Sequence, residues 1–107
     1  MATAKEVFEK ISQRMQNEPA RFEGIDAVYE FNISGDNGGV WTMDLKSDPK
    51  SIKEGSSGNA NCTITMSNSD FSDMIDGSLN PQMAFMTGKL KVAGDMGLAI
   101  KLGSILG

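Results

Sequence analysis

Two alternating segments joined by a glycine-rich turn constrain this chain more than any other feature. In residues 25–34 and 39–47, apolar side chains fall at every second position, namely Ile25, Ala27, Tyr29, Phe31 and Ile33, then Trp41, Met43 and Leu45. The sequence GDNGG at residues 35–39 is typical of a hairpin turn. Because strand side chains alternate between faces, the hairpin has an apolar face that a second layer must cover.

Helix signals precede the hairpin. Thr3 and Glu6 have the spacing of a capping box, and Pro19 closes the segment. The apolar residues between them follow helical spacing, at Val7, Phe8, Ile11 and Met15. The sequence therefore predicts an amphipathic first helix.

The second half of the chain predicts strands and helices in alternation. A short edge strand is expected near Ile52, and residues 61–67 alternate as a further strand. A helix capped by Asn68 or Ser69 should stop at Gly77. Three more elements follow: a helix with Asn80 as N-cap, Pro81 in its first turn and Gly88 past its end, a strand at residues 89–94, and a last helix capped by Asp95.

This order predicts an α+β fold, with helices packed on one side of a largely antiparallel sheet. The chain has 107 residues, enough for one hydrophobic core, so residues 1–107 are expected to form a single domain.

Composition argues against several functions. The formal charge is −4 and the basic residues are scattered, which disfavours nucleic acid and stable docking on anionic lipid headgroups. The chain has no histidine, so His-dependent catalysis is excluded, and we expect no catalytic residue, metal or cofactor. The single cysteine, Cys62, is interpreted as a small buried hydrophobe, and Asp70, Asp73 and Asp76 as a solvated helix face.

The last helix is unusually apolar. Only Gly97, Lys101 and Ser104 form a narrow polar stripe along it. A helix that is apolar around most of its circumference is buried or faces an apolar ligand, membrane or partner. Methionines are also frequent in the second half, which is consistent with plain core packing or with a deformable apolar cavity.

Residues 80–102, NPQMAFMTGKLKVAGDMGLAIKL, closely resemble the signature region of the sterol carrier protein type two family. That family has an Asn-Pro-Gln segment, an aromatic residue in the helix, Gly-Lys-Leu-Lys, a strand, and Gly-x-Met-x-Leu-x-x-Lys-Leu. The upstream segments AVYEFNIS, WTMDLKS, NCTITMS and KEVFEKISQRM resemble its strands and first helix, so the likeness covers essentially the whole chain.

The resemblance implies a five-stranded, mostly antiparallel sheet with about five helices covering one face and enclosing an apolar tunnel. It also implies a non-catalytic carrier of fatty acids, acyl-coenzyme A, sterols or phospholipids, which contacts membranes transiently and needs no cofactor. A monomer is expected. Without a secretory signal or a peroxisomal tripeptide in the sequence, the expected location is the cytoplasm, with peroxisomes as the alternative from the family.

The apolar faces of the strands and the apolar stripes of the helices predict the lipid-binding residues. They are Phe31, Ile33, Trp41, Met43, Met66, Phe71, Met74, Ile75, Met83, Phe85, Met86, Leu90, Met96, Leu98, Ile100, Leu102 and Ile105, with about half expected to touch ligand. Arg21 is the candidate contact for a carboxylate or phosphate head at the tunnel mouth. The alternative function is an interaction or dimerisation module that uses the last helix.

Overall fold

The computed structural model describes residues 3–47 and 50–106, with side chains described outside residues 103–106. It contains five strands, four α-helices and one 3-10 turn in this part of the chain. Their order is α1 (Ala4–Asn17), the 3-10 turn (Pro19–Phe22), β1 (Val28–Ser34), β2 (Gly39–Asp44), β3 (Ser51–Glu54), β4 (Cys62–Ser67), α2 (Asn68–Asp76), α3 (Pro81–Met86), β5 (Leu90–Gly94) and α4 (Met96–Leu106). The predicted α+β class is confirmed.

The five strands form one mixed sheet in the order β3-β2-β1-β4-β5. Three neighbouring pairs are antiparallel, whereas β1 and β4 at the centre run parallel. The register aligns apolar residues across the sheet. One row, for example, runs through Trp41, Phe31, Ile64 and Val92.

Caps define where the helices begin. Thr3 and Glu6 form the predicted capping box of α1, and Asn80 Oδ1 accepts hydrogen bonds from the backbone N–H groups of Gln82 and Met83 at α3. Asp95 caps α4 in the same way. The predicted cap of α2 was wrong: Ser67 caps it by accepting from the Asp70 N–H, and Asn68 is already helical.

Aromatic side chains fill the space between the first two helices and the sheet. The Phe8 ring of α1 lies 4.8 Å from the Trp41 ring and 5.2 Å from the Phe31 ring, measured between centroids. Phe71 of α2 completes the cluster at 5.0 Å from Phe8. We call this region, α1 over β1 and β2 with α2 beside it on β1 and β4, the sealed half.

The remaining helices, α3 and α4, lie over β4 and β5, and we call this region the open half. Here α3 buries only Ala84. In α4, Leu102 is fully buried, while Leu98 and Ala99 are half-buried against the core. None of the helices in the described ranges has the length and apolar character needed to span a bilayer.

Candidate functional site

A groove of about 660 Å³ lies in the open half, between the sheet and the helices. Ile64 of β4 and Leu90 and Val92 of β5 form its floor, and Met74 of α2 closes one side. The other walls are formed by α3 with its N-cap and by α4. Their lining residues are Asn80, Pro81, Gln82, Phe85 and Met86, and Met96, Ala99, Ile100 and Leu102. This volume is within the range of small-molecule sites, about 300–1,000 Å³.

The rim of the groove exposes large apolar side chains. Met86 is 78% exposed, Ile100 61%, Met83 54%, Phe85 44% and Met96 41%, and all except Met83 line the groove. In the described part of the chain, these are the large hydrophobic residues that are exposed. An apolar patch gathered at the opening of a concavity marks a binding site for an apolar ligand or surface.

The local sequence explains why α3 leaves the groove open. Asn80 and Pro81 start the helix, and it ends after Met86, with Gly88 in a left-handed conformation at φ 81°. The Lys89 N–H then donates to the Ala84 carbonyl at 2.8 Å, which brings the chain into β5 directly. A helix of six residues has less than two turns, so it cannot cover the strands beneath it.

The groove lining contains no charged side chain among the described residues. Its polar side chains are those of Asn80 and Gln82, and Asn80 Oδ1 is engaged in capping α3. Ionised headgroups would lose hydration in such a site without gaining a counter-charge. The arrangement therefore suits an apolar chain with its head near solvent.

One buried hydrogen bond ties α4 to the centre of the sheet. The Tyr29 hydroxyl donates to the Leu98 carbonyl at 2.8 Å, and Tyr29 is fully buried beside Cys62. Burial raises the pKa of Tyr29 to about 12 and that of the Cys62 thiol to about 11, and the charge of Asp95 adds to both shifts. Both groups are neutral at physiological pH, so Cys62 is a poor nucleophile.

The structure places seven of the predicted residues on the groove: Met74, Phe85, Met86, Leu90, Met96, Ile100 and Leu102. Seven others lie in the core away from it: Phe31, Ile33, Trp41, Met43, Met66, Phe71 and Ile75. Met83 is exposed beside the groove, and Leu98 packs partly against the core. Ile105 lies outside the described side chains.

Arg21 is not brought to the groove. It is exposed in the 3-10 turn, where a guanidinium nitrogen lies 3.4 Å from a Glu18 carboxylate oxygen. The same turn borders a second, more polar groove of about 470 Å³, lined by residues of α1, of the turn and of the start of β3. The head-group role of Arg21 stays a prediction.

Six lining residues were not among those predicted: Ile64, Asn80, Pro81, Gln82, Val92 and Ala99. The sequence could have indicated Ile64 and Val92, since Ile64 shares a strand face with Met66 and Val92 shares one with Leu90, and both partners were predicted. For Asn80 and Pro81, the sequence predicts only their places at the start of α3. No group of three or more Cys, Asp or Glu residues in residues 3–47 and 50–106 is arranged to hold a metal ion.

Comparison with known proteins agrees with this architecture. Residues 8–107 match the SCP-2 sterol transfer family. The chain is 40% identical over 104 residues to hydroxysteroid dehydrogenase-like protein 2 of Xenopus laevis, covering 96% of this chain and 24% of that protein. It is 40% identical over 100 residues to sterol carrier protein 2 of Homo sapiens, covering 90% of this chain and 18% of that protein.

A solved structure shares the fold over nearly the full length. The solution structure of sterol carrier protein 2 from Aedes aegypti in complex with palmitate has a TM-score of 0.73 and 26% identity, covering 99% of this chain and 96% of that one. The chain therefore belongs to the SCP-2 sterol transfer family. It spans about a quarter or less of the length of the two curated relatives above.

Proposed function

We propose that this chain is a non-catalytic lipid carrier that binds the acyl chain of a fatty acid, or another lipid of similar shape, in the groove of the open half. The observation that carries the proposal is the uncharged groove with four exposed apolar side chains at its rim. A related protein solved with palmitate makes a sixteen-carbon fatty acid the first ligand to test.

The energetics of such a ligand are favourable. Burying a methylene gains about 0.8 kcal/mol, so sixteen carbons offer about 12 kcal/mol before costs. Association and ordering oppose this with about 4–15 kcal/mol. The balance supports affinity near the micromolar range with little dependence on the headgroup, so acyl-coenzyme A, sterols and phospholipids are further candidates.

The headgroup is proposed to stay at the mouth of the site. Gln82 is an exposed polar side chain on the groove and is the proposed contact for a head. Arg21 lies in the 3-10 turn away from this groove, so it is the candidate cation only for a carboxylate that reaches that turn. Neither contact supplies acid–base or nucleophilic chemistry, which supports carriage over catalysis. The proposed setting is the cytoplasm.

Two methionines provide a matched test. Met86 lines the groove, whereas Met15 lies on α1 beside the second groove, and both are partly accessible. We expect Met86→Gln to weaken palmitate binding about fivefold, because a polar amide replaces an apolar contact, while Met15→Gln leaves it unchanged. Competition of unlabelled palmitate against a fluorescent fatty acid measures both.

Saturable and displaceable binding with this selectivity supports the proposal. Equal weakening by both variants would place the ligand elsewhere, and a wild-type chain without displaceable binding would rule the carrier function out.

A further inference from the structure

The groove of the open half ends where the aromatic cluster of the sealed half begins. One row of side chains across the sheet runs from Val92 through Ile64 to Phe31. Val92 and Ile64 line the groove, whereas Phe31 is fully buried and lies away from it. The inner boundary of the groove therefore falls between β4 and β1.

Two aromatic rings occupy the space beyond this boundary. The ring of Phe31 on β1 lies 5.7 Å from the ring of Phe71 on α2, measured between centroids, and both side chains are fully buried. Rings at this separation are in packing contact. An acyl chain that enters the groove from its exposed rim therefore meets a closed inner end.

Burial increases along the groove towards this end. The rim residues are exposed, but Ile64, Met74 and Leu102 are only 3%, 2% and 1% exposed. Met74 lies three positions after Phe71 on α2, and residues at that spacing are neighbours on one helix face. The Met74 side chain therefore lies where the groove meets the aromatic cluster.

We propose that Met74 limits the length of the acyl chain that the groove accepts. The terminal methyl group of the chain contacts Met74, and the head stays at the rim. An unbranched, flexible thioether suits a position that has to fit against the end of a chain. The inference rests on the proposed function, because it specifies which lipids bind best in the same groove.

The reverse orientation is disfavoured by the chemistry of the inner end. Ile64, Met74 and Leu102 are apolar and buried, and the described groove lining contains no cation. A carboxylate placed there would lose its hydration without gaining a counter-charge. At the rim, by contrast, the head stays hydrated and can reach the exposed amide of Gln82.

A closed end makes affinity depend on chain length in two phases. Each methylene that enters the groove should tighten binding about fourfold. Once the terminal methyl group reaches Met74, additional carbons remain in water at the rim and add little. Affinity should therefore rise with chain length up to a break point and then level off.

The test is competition of saturated fatty acids, of about ten to twenty carbons, against a fluorescent fatty acid. Met74→Ala frees the volume of about three methylene groups at the inner end, and an apolar cavity of this kind accepts an apolar guest. We expect the break point to move about two to three carbons longer.

Ile75→Ala is the matched control. Ile75 is the next residue of α2, is also buried and lies away from the groove. Urea denaturation should show a similar loss of stability for both variants, since each removes a large buried side chain from the same helix. The break point of Ile75→Ala should nevertheless stay at the wild-type length.

NMR of the wild-type chain tests the orientation without a substitution. Palmitate labelled with ¹³C at its terminal methyl group should show contacts with the methyl group of Met74 and none with that of Met86, which is exposed at the rim. Palmitate labelled at the carbon next to the carboxylate should show the opposite pattern. Contacts of the terminal methyl group with Met86 instead of Met74 would overturn the inference, whether or not Met74→Ala folds.

The outcomes separate this inference from the proposed function. An unchanged break point in Met74→Ala, or an equal shift in Ile75→Ala, would overturn the length limit while leaving lipid binding in the groove intact. Affinity that keeps rising through the whole series of fatty acids would do the same. A wild-type chain that binds no fatty acid of any length would overturn the proposed function and the length limit together.

Discussion

The sealed and open halves cover the same sheet with different results. In the sealed half, α1 spans 14 residues and buries Val7, Phe8 and Ile11, with the Phe8 ring packed on aromatic rings of β1 and β2. In the open half, α3 spans six residues and buries one of them. The groove therefore arises where the covering helix is too short for the sheet beneath it, and we expect the sealed half to supply most of the stability.

Phe8→Ala should have the largest effect on stability. The ring packs against three other aromatic rings and is 1% exposed, so its removal leaves a cavity and should cost about 3–5 kcal/mol of unfolding free energy. Urea denaturation measures the loss. A loss below about 1 kcal/mol would show that the sealed half is not the stabilising core.

Phe85→Ala is the counterpart in the open half. Because the ring is already 44% exposed, its removal should cost only about 1 kcal/mol of stability. Palmitate affinity should fall about tenfold, since the ring lines the groove. If Phe85→Ala destabilised the chain as much as Phe8→Ala and left palmitate affinity intact, the distinction between the halves would fail.

Tyr29→Phe tests the bond that ties α4 to the sheet. Loss of the hydrogen bond to the Leu98 carbonyl should cost about 1 kcal/mol and increase amide exchange in α4 more than in α1. An equal increase in amide exchange in α1 and α4 would contradict a local role for the hydrogen bond between Tyr29 and Leu98.

Tyr29, together with Cys62, also makes the unfolding free energy depend on pH in the alkaline range. The pKa values of Tyr29 and Cys62 are raised from 10.0 and 9.0 to about 12 and about 11, so the unfolded chain loses these protons before the folded chain does. Unfolding free energy should therefore be unaffected by these groups below about pH 9 and fall up to about pH 12. In Tyr29→Phe, the decline between about pH 10 and 12 should be smaller, as followed by urea melts at each pH.

Arg21→Ala should have the smallest effect. An exposed ion pair contributes up to about 1 kcal/mol, so we expect palmitate affinity to fall about two- to fivefold. Hexadecanol, which lacks the carboxylate, should bind equally to both proteins. Unchanged palmitate affinity would rule out Arg21 as the head-group contact.

Much of the fold could be predicted from the sequence because its signals are local. Alternation gave the strands, and caps at Thr3, Asn80 and Asp95 marked three helix starts. The parallel pairing of β1 with β4 had no local signal, since it joins segments separated by two other strands. At α2, three neighbouring residues could all act as caps, and the hydrogen bond to Ser67 decided between them.

The site was harder to predict, and Phe71 and Phe85 show why. Both are phenylalanines in short helices with methionines nearby, and both were predicted to contact lipid. Phe71 packs into the aromatic cluster, whereas Phe85 lines the groove and stays partly exposed. Periodicity identifies the face of a residue, but the groove depends on how far the neighbouring helices extend over it.

The methionines allow the most direct test of the central claim, that the acyl chain lies in the open half. In protein labelled with ¹³C at the methionine methyl groups, NMR during palmitate titration reports on Met74, Met86 and Met96 in the groove and on Met15 and Met43 outside it. We predict shift changes and methyl contacts with palmitate for the first three and none for the other two. Contacts at Met15 or Met43, with Met86 and Met96 unchanged, would contradict the account.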